Sequence, residues 1–429
     1  MSQSHHEPTL RTIEFEQHGI ARKQISRNAL KVTDTLQKAG YKAYVVGGGP
    51  RDLLLQQRPK DFDIGTDATP EQVKAVFPRA RLIGRRFRLA HVRFGREIIE
   101  VATFRGTGEL GERAVAGSGR VLRDNVFGSE AEDAIRRDFT INALMYDPSN
   151  QQLRDYTHGF EDIQDRRLRL IGDPEARYRE DPVRMLRAIR FKTKLSLNLE
   201  PDCDEPIARM AELLTNIPPA RLLDELLKML LGGDAWPMFC ALVDYGLWDT
   251  LFPGLMPGAD APPALVEQAL KNTDERVRQG KPVTPGFLFA ALFWPALERE
   301  MLRNRSDRPI MDRIIEAGER VFSKYAQHVS IHRRYSTMAK EIWMFQPRFE
   351  RRRGKRAMRL LGEKRFRAAY DFLLLRGLEA PDLTELIEWW TQVQTVDEAR
   401  RREMIFGSSR RDAPLRRTRK RSPNQPAPS

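Results

Sequence analysis

Two cysteines, Cys203 and Cys240, are all that the 429 residues contain, and they stand in no metal-ligand spacing. Neither a disulfide framework nor a zinc site is expected, and a reducing compartment fits best. Both read as small buried apolar side chains. Long apolar runs are also missing. The longest, GFLFAALFWPAL at 286–297, falls far short of the about 20 residues of a membrane helix and reads as a buried helix. The opening MSQSHHEPTL has no signal-peptide core, so the expected location is the cytoplasm. No internal repeat of fixed period is found. The glycine-rich region at 45–69 contains neither G-x-x-x-x-G-K-S/T nor G-x-G-x-x-G, which argues against a P-loop or a dinucleotide fold.

Positive charge, by contrast, is abundant. Lys and Arg total 73 against 59 Asp and Glu, a formal charge of +14, and such a surplus favours polyanions such as nucleic acid or acidic lipid. The length suggests roughly three domains at about 150 residues each. From Ala21 to Tyr146, β-rich runs (AYVVGG, DFDIGT, RLAHVRFG, EIIEVATF) alternate with helix-like runs such as ISRNALKVTDTLQKAG, which closes on a helix-ending glycine. Residues 147–400 read almost wholly helical, with periodic segments such as DPVRMLRAIRF, PPARLLDELLKMLL and DLTELIEWWTQV. The tail from Arg401 has too few apolar groups to fold. The expected class is α+β, a small mixed sheet with helices followed by a mostly helical region.

The most informative stretch is VVGGGPRDLLLQQRPKDFDIGTDAT, 45–69. Strand alternation points Asp61 and Asp63 the same way while Phe62 and Ile64 turn to a core. Their Cα atoms lie about 6.6 Å apart, two rises of the strand, close enough for both carboxylates to share a magnesium ion. Magnesium is typically held by one or two carboxylates plus substrate phosphates, so the pair suits a nucleotide. The glycines would let backbone N–H groups approach those phosphates, with Pro50 at the first position of a helix and Arg51 and Asp52 in its first turn. The plainer alternative is a glycine turn needed only for packing, beside an exposed Asp-x-Asp. Strand, glycine turn, helix and acid-bearing strand in that order are far more specific than either element alone.

GGGPRDLLLQQRPKDFDIGTDAT resembles the head motif of the class II nucleotidyltransferases, which include bacterial poly(A) polymerases and CCA-adding tRNA enzymes, within the DNA polymerase beta superfamily. Pro50 departs from the valine usual there, though proline fits a helix start. IRRDFTINAL (135–144) resembles the second motif, in which an Arg and an Asp hold phosphates and sugar, here Arg137 and Asp138. The resemblance makes Asp138 the third acid; Glu100, on the strand EIIEVATF, is its rival, with a paired surface acid as the preferred reading. REDPVRMLRAIRF (179–191) resembles the base-reading motif. The residues alone read as Asp181 capping a helix that Pro182 opens; the resemblance assigns Asp181 and Arg184 to the base. It thus implies nucleotide binding by Gly48, Gly49, Arg51, Arg137, Asp181 and Arg184, catalysis by Asp61, Asp63 and Asp138, two Mg²⁺ ions on Asp61 and Asp63 (Glu100 the further candidate), and ATP as substrate.

RLIGRRFRLAHVRFG (81–95), RRGKRAMRLLGEKRFRAAYDFLLLR (352–376) and the arginine-rich extension are similar to the poly(A) polymerase branch. That branch implies a polymerase-beta-like head at 21–175 after an N-terminal extension at 1–20, a helical neck at 176–265 that selects nucleotide and binds RNA, a helical body at 266–400 and a flexible tail at 401–429. It also implies template-independent addition of AMP to RNA 3′ ends, release of pyrophosphate, and tailing that marks bacterial RNA for decay or processing, with RNA-decay machinery as partner and no membrane insertion. Arg352, Arg353, Lys355 and Arg356, and Arg416 and Arg417 in the tail, are candidate RNA contacts. Phe366 and Tyr370 between the basic residues read as core aromatics. The rivals are a CCA-adding tRNA enzyme and a non-catalytic RNA-binding protein that kept the head as scaffold.

Overall fold

The computed structural model describes residues 9–84, 88–106, 114–115, 121–123, 127–256, 262–304 and 307–407. The chain forms two compact units, Met1–Pro253 with His328–Ser330, and Gly254–Gln327 with Ile331–Ser429. Head and neck, separate in the expected division, thus fall in one unit, and the second unit opens before residue 266.

The first unit is built on an eight-stranded sheet. Its strands are β1 (Arg11–Ile13), β2 (Ala43–Val46), β3 (Asp63–Thr66), β4 (Arg81–Ile83), β5 (Leu89–Phe94), β6 (Glu97–Thr103), β9 (Met145–Asp147) and β10 (Gln152–Asp155), while β7 (Ala114–Val115) and β8 (Val121–Arg123) pair apart from it. The order is β1-β10-β9-β2-β3-β6-β5-β4, antiparallel throughout except for β3 against β6. It is the mixed sheet expected, extended at one edge by β1, so the segment before Ala21 contributes structure. The register sets Val46 opposite Asp63 and Ile64 beside Val101, which brings Glu100 level with Asp63.

Helices flank the sheet: α1 (Phe15–His18), α2 (Arg27–Lys38), α3 (Gly48–Leu54), α4 (Pro70–Val76), α5 (Glu130–Arg136) and α6 (Gly159–Gln164). Ser26 caps α2 by accepting from the Ala29 N–H, and Gly40 follows its end at φ +90°. Ala29, Val32, Thr33 and Leu36 recur at helical spacing and are buried; Val45, Ile64 and Val101 are buried in the sheet. Such a stripe covering a pleated apolar surface follows from the two side-chain periods. The unit continues with α7 (Pro174–Glu180), α8 (Val183–Leu195), α9 (Pro201–Arg209), α10 (Pro219–Leu230), α11 (Ala235–Asp244) and α12 (Leu247–Leu251).

The second unit is helical: α13 (Ala264–Arg278), α14 (Pro285–Arg303), α15 (Ile310–Tyr325), α16 (Arg333–Phe349), α17 (Gly354–Leu361), α18 (Phe366–Arg376), α19 (Thr384–Thr395) and α20 (Glu398–Phe406). The run 286–297 lies in α14, with Phe289, Phe293 and Leu297 buried. Phe366 and Tyr370 belong to a core cluster with Phe349, Leu373 and Trp390, as expected. Helix α20 carries order through Phe406, six residues into the expected tail, and 408–429 lie outside the described residues. Cys203 is buried and Cys240 half-buried, and neither forms a disulfide. Among the described residues no helix is long and apolar enough to cross a membrane.

One close approach fixes the second motif against α6. A Cβ at Gly159 would stand 2.2 Å from the Thr140 carbonyl oxygen, so the backbones meet only because the side chain is absent. Gly159→Ala is expected to cost about 1–3 kcal/mol, the usual penalty of overpacking, read as a lower denaturant midpoint of the purified protein.

Candidate active site

Strand β2 is buried along its length and runs into a turn in which three glycines serve three ends. Gly47 takes φ +72°, a left-handed conformation that a side chain disfavours. A Cβ at Gly48 would come within 3.3 Å of the Arg51 guanidinium, and one at Gly49 within 3.1 Å of Phe62 and 3.3 Å of Val45. Packing thus accounts for Gly49, while Gly48 leaves room at the cavity described below. Helix α3 starts at Gly48, so Pro50 is its third residue rather than its first; no intrahelical partner awaits an N–H there either, and proline is tolerated. Arg51 is buried. Its Nε and Nη2 donate to Asp52 Oδ1 at 2.8 and 2.5 Å, and its Nη1 to Asn142 Oδ1 at 2.6 Å. Asp52 is therefore the counter-charge of Arg51.

Asp63 opens β3 and is half-buried, Asp61 just before it is exposed, and Phe62 and Ile64 are buried. The alternation is the one the residues suggested. Burial, then the like charges of Asp61 and Glu100, push the Asp63 carboxyl up to about 6 against the pull of Arg137. Glu100, 48% exposed at its side chain, lies 3.2 Å from His91 Nε2. It is a paired surface acid and also acts on Asp63. Among the described residues no group of three or more His, Cys, Asp or Glu side chains is arranged to hold a metal ion alone. Neighbouring carboxylate oxygens are hard donors and nonetheless a chemical fit for magnesium, with the missing ligands coming from phosphate and water.

The second motif follows α5. Arg137 donates through Nε and Nη2 to Asp133 Oδ2 at 3.2 and 2.9 Å and through Nη1 to the Asn142 carbonyl at 3.2 Å. Asp138 accepts three hydrogen bonds. Oδ1 accepts from Phe139 N at 2.9 Å and Asn142 Nδ2 at 3.1 Å, and Oδ2 from Arg187 Nε at 2.6 Å, with the Arg187 Nη2 charge 2.5 Å from the same oxygen. Burial works to raise its carboxyl, but the Arg187 charge and these hydrogen bonds outweigh it and hold the group below the ordinary carboxylate range. The Phe191 ring gathers three guanidiniums, with Arg51, Arg187 and Arg190 at 5.1, 5.3 and 4.3 Å from its centroid. Arg190 is tied in turn to buried Glu225 of α10 at 2.5 Å.

These groups enclose a cavity of about 330 Å³ walled by Gly47 and Gly48, by Arg51, Arg137 and Arg187, and by Asp138, Asn142 and Phe191. That volume is at the small end of ligand pockets, which run from about 300 Å³ upward. Three cations and a side-chain-free turn suit a polyanion. Arg137 joins the cavity to the acidic pair, since it lines the one and acts on the other.

Asp181 and Arg184 stand apart from that wall. Asp181 Oδ1 accepts from Val183 N at 3.3 Å and Oδ2 from Arg221 at 2.5 Å; α8 starts at Val183 with Pro182 in the cap position, one residue later than expected. Arg184 donates to Glu180 at 2.7 Å and to the Arg177 carbonyl at 2.8 Å. The cavity is reached instead by Arg187, Phe191 and Asn142, which the motif reading passed over. Arginines at 184, 187 and 190 repeat every three residues along α8, and that stripe was the available signal. Of the candidate RNA contacts, Arg352 pairs with Glu385 at 2.7 Å, while Arg353, Lys355 and Arg356 are exposed at or in α17. Arg416 and Arg417 lie outside the described residues.

The model of the poly A polymerase head domain matches residues 43–169, that of a probable RNA and SrmB-binding site of polymerase A matches 196–258, and that of the polymerase A arginine-rich C-terminus matches 306–425. Poly(A) polymerase I of Escherichia coli O6:H1 is 47% identical over 435 aligned positions, covering 98% of this chain and 93% of that protein. A CCA-adding enzyme of Lactobacillus helveticus is 39% identical over 216 residues, 50% of this chain and 53% of its own. A solved tRNA-processing enzyme complex superposes with a TM-score of 0.59 at 22% identity, covering 85% of this chain and 92% of that one, a likeness of fold. Full-length similarity of this order, over a head that carries the paired acids and the arginine-walled cavity, means that the chain belongs to the poly(A) polymerase I family.

Proposed function

We propose that the chain adds AMP from ATP to RNA 3′ ends without a template, releasing pyrophosphate, and that it does so in the bacterial cytoplasm, where the tails mark RNA for decay or processing. The observation that carries this reading is the adjacency of the Asp61–Asp63 pair to a cavity walled by three arginines. Asp61 and Asp63 would hold the magnesium. When bound, that ion neutralises triphosphate charge and makes the attacking hydroxyl more acidic. The Gly48 turn admits the phosphates, and Arg51, Arg137 and Arg187 stabilise the charge that develops as pyrophosphate leaves. Asp138, bonded to both Arg187 and Asn142, acts as their anchor, and Glu100 serves as the third acid beside the pair. Asp181 and Arg184, held by Arg221 and Glu180, stay assigned to the base side of the site.

The rival is a CCA-adding tRNA enzyme, since the Lactobacillus helveticus enzyme of that name is similar over half of the chain. Incubation of tRNA and unstructured RNA with ATP alone, CTP alone and both separates the two. Long tails from ATP alone support the proposal, and CTP-dependent growth that stops after three nucleotides overturns it.

Asp61→Asn is expected to abolish tailing while RNA affinity stays within about twofold, since one surface charge shifts binding little; substantial residual tailing would remove the metal role.

Asp63→Asn should stabilise the protein in buffer free of divalent cation and nucleotide. The folded-state carboxyl titrates near 6 against an ordinary 3.8, so the ionised form is disfavoured in the fold and its cost is present above that range. The variant's thermal midpoint is thus expected to exceed the parent's at neutral pH, and the gap to close as pH falls from 6 towards 4.

Lys355→Ala with Arg356→Ala should weaken RNA binding and lower the slope of log K against log salt by about 1.4, two single-strand phosphate contacts. The maximal tailing rate at saturating RNA is expected to hold, and an unchanged slope would remove these residues from the RNA path.

A further inference from the structure

The cavity wall closes into a ring. Arg51 bonds Asn142, Asn142 bonds Asp138, Asp138 bonds Arg187, and both guanidiniums return to the face of Phe191. Asn142 is the one neutral hydrogen-bonding link in it. It ends the 3-10 turn Thr140–Asn142 and is 7% exposed. Its amide oxygen accepts from Arg51 at 2.6 Å and its amide nitrogen donates to Asp138 at 3.1 Å, while its backbone carbonyl accepts from Arg137 at 3.2 Å.

The orientation of this amide follows from its partners. A guanidinium can only donate and an ionised carboxylate can only accept, so the oxygen must face Arg51 and the nitrogen Asp138. A side chain that presents both an acceptor and a donor across so short a span is an amide. An aspartate here would set a second carboxylate against Asp138, and an apolar residue would leave both partners short of a bond. Among the described residues, Arg51 without Asn142 keeps Asp52, its neighbour on the same helix, as hydrogen-bond partner, and the Phe191 ring as its link to Arg187. The two cations sit on different elements, α3 and α8, and the distance between them is set through this one amide and the carboxylate behind it.

We propose that Asn142 is a positioning residue that holds Arg51 and, through Asp138, Arg187 at one fixed separation, so that the cavity meets a triphosphate as a preformed clamp. The inference rests on the reading of the cavity as the triphosphate site. Binding then requires no reordering of the two guanidiniums, which is where preorganisation gains affinity. Neither base nor sugar enters the argument, so the effect belongs to the phosphate chain alone.

Calorimetric titration of the full-length protein with inorganic tripolyphosphate tests this, for the parent, Asn142→Ala, Arg51→Ala and the double variant. Asn142→Ala is expected to weaken tripolyphosphate by about tenfold, the scale of a lost charge-assisted bond, and to raise KM for ATP in parallel with a smaller change in kcat. In the Arg51→Ala background the same substitution should cost less than about threefold, because residues acting as one unit are not additive. A purely structural role would lower the binding stoichiometry or the thermal midpoint and leave the affinity of the folded fraction as it was. Unchanged affinity in Asn142→Ala, or fully multiplicative losses in the double variant, overturns the proposal. Should Asn142→Ala not yield folded protein, Asn142→Ser is read by the same criteria. A parent that binds no tripolyphosphate and makes no tails defeats the functional reading and this inference with it; a parent that binds and tails while the variants match it defeats the inference alone.

Discussion

The ion pair between Asp138 and Arg187 is the contact on which the site depends. It joins the turn after α5 to the middle of α8 at 2.5 Å, and both charges are largely withdrawn from water. Withdrawing one charge alone would be prohibitive; withdrawing the two together, with Phe139 and Asn142 completing the carboxylate, makes the arrangement tolerable and directional. The geometry then propagates. Asp138 orients Asn142, Asn142 orients Arg51, and Arg187 and Arg51 find the same aromatic face.

Around this pair the first unit separates its charges. Burial, and then repulsion from Asp61 and Glu100, raise Asp63, while the arginines a short distance away are each held by a carboxylate of their own: Arg51 by Asp52, Arg137 by Asp133, Arg190 by Glu225. A surface with unbalanced acids beside a cavity with restrained cations is complementary to a polyanion that arrives with divalent cations.

The strands were legible because their side chains alternate. Phe62 and Ile64 are buried and Asp61 and Asp63 are not, as a period of two requires. Helix α2 was legible from its buried stripe, its serine cap and the glycine after it. Pro50 was placed two positions too early in α3 because a proline signals only that no intrahelical N–H is needed, a condition met throughout the first turn. Arg187, Phe191 and Asn142 were not read as site residues. Their types are ordinary in a helix or a turn, and only the approach of α8 to the turn after α5 gives them a common cavity.

The order of residues alone determined the chemistry on offer: two carboxylates on one strand face, a turn without side chains, arginines at helical spacing and a surplus of positive charge. These are local properties, set by backbone period and side-chain type. Which arginines face the cavity and which are spent on Glu180 or Arg221's partner, and which acid acts on Asp63, only the tertiary structure decided. Those assignments depend on distances between elements far apart in the chain, and electrostatic and hydrogen-bond energies fall off too steeply with distance for spacing along the sequence to report them.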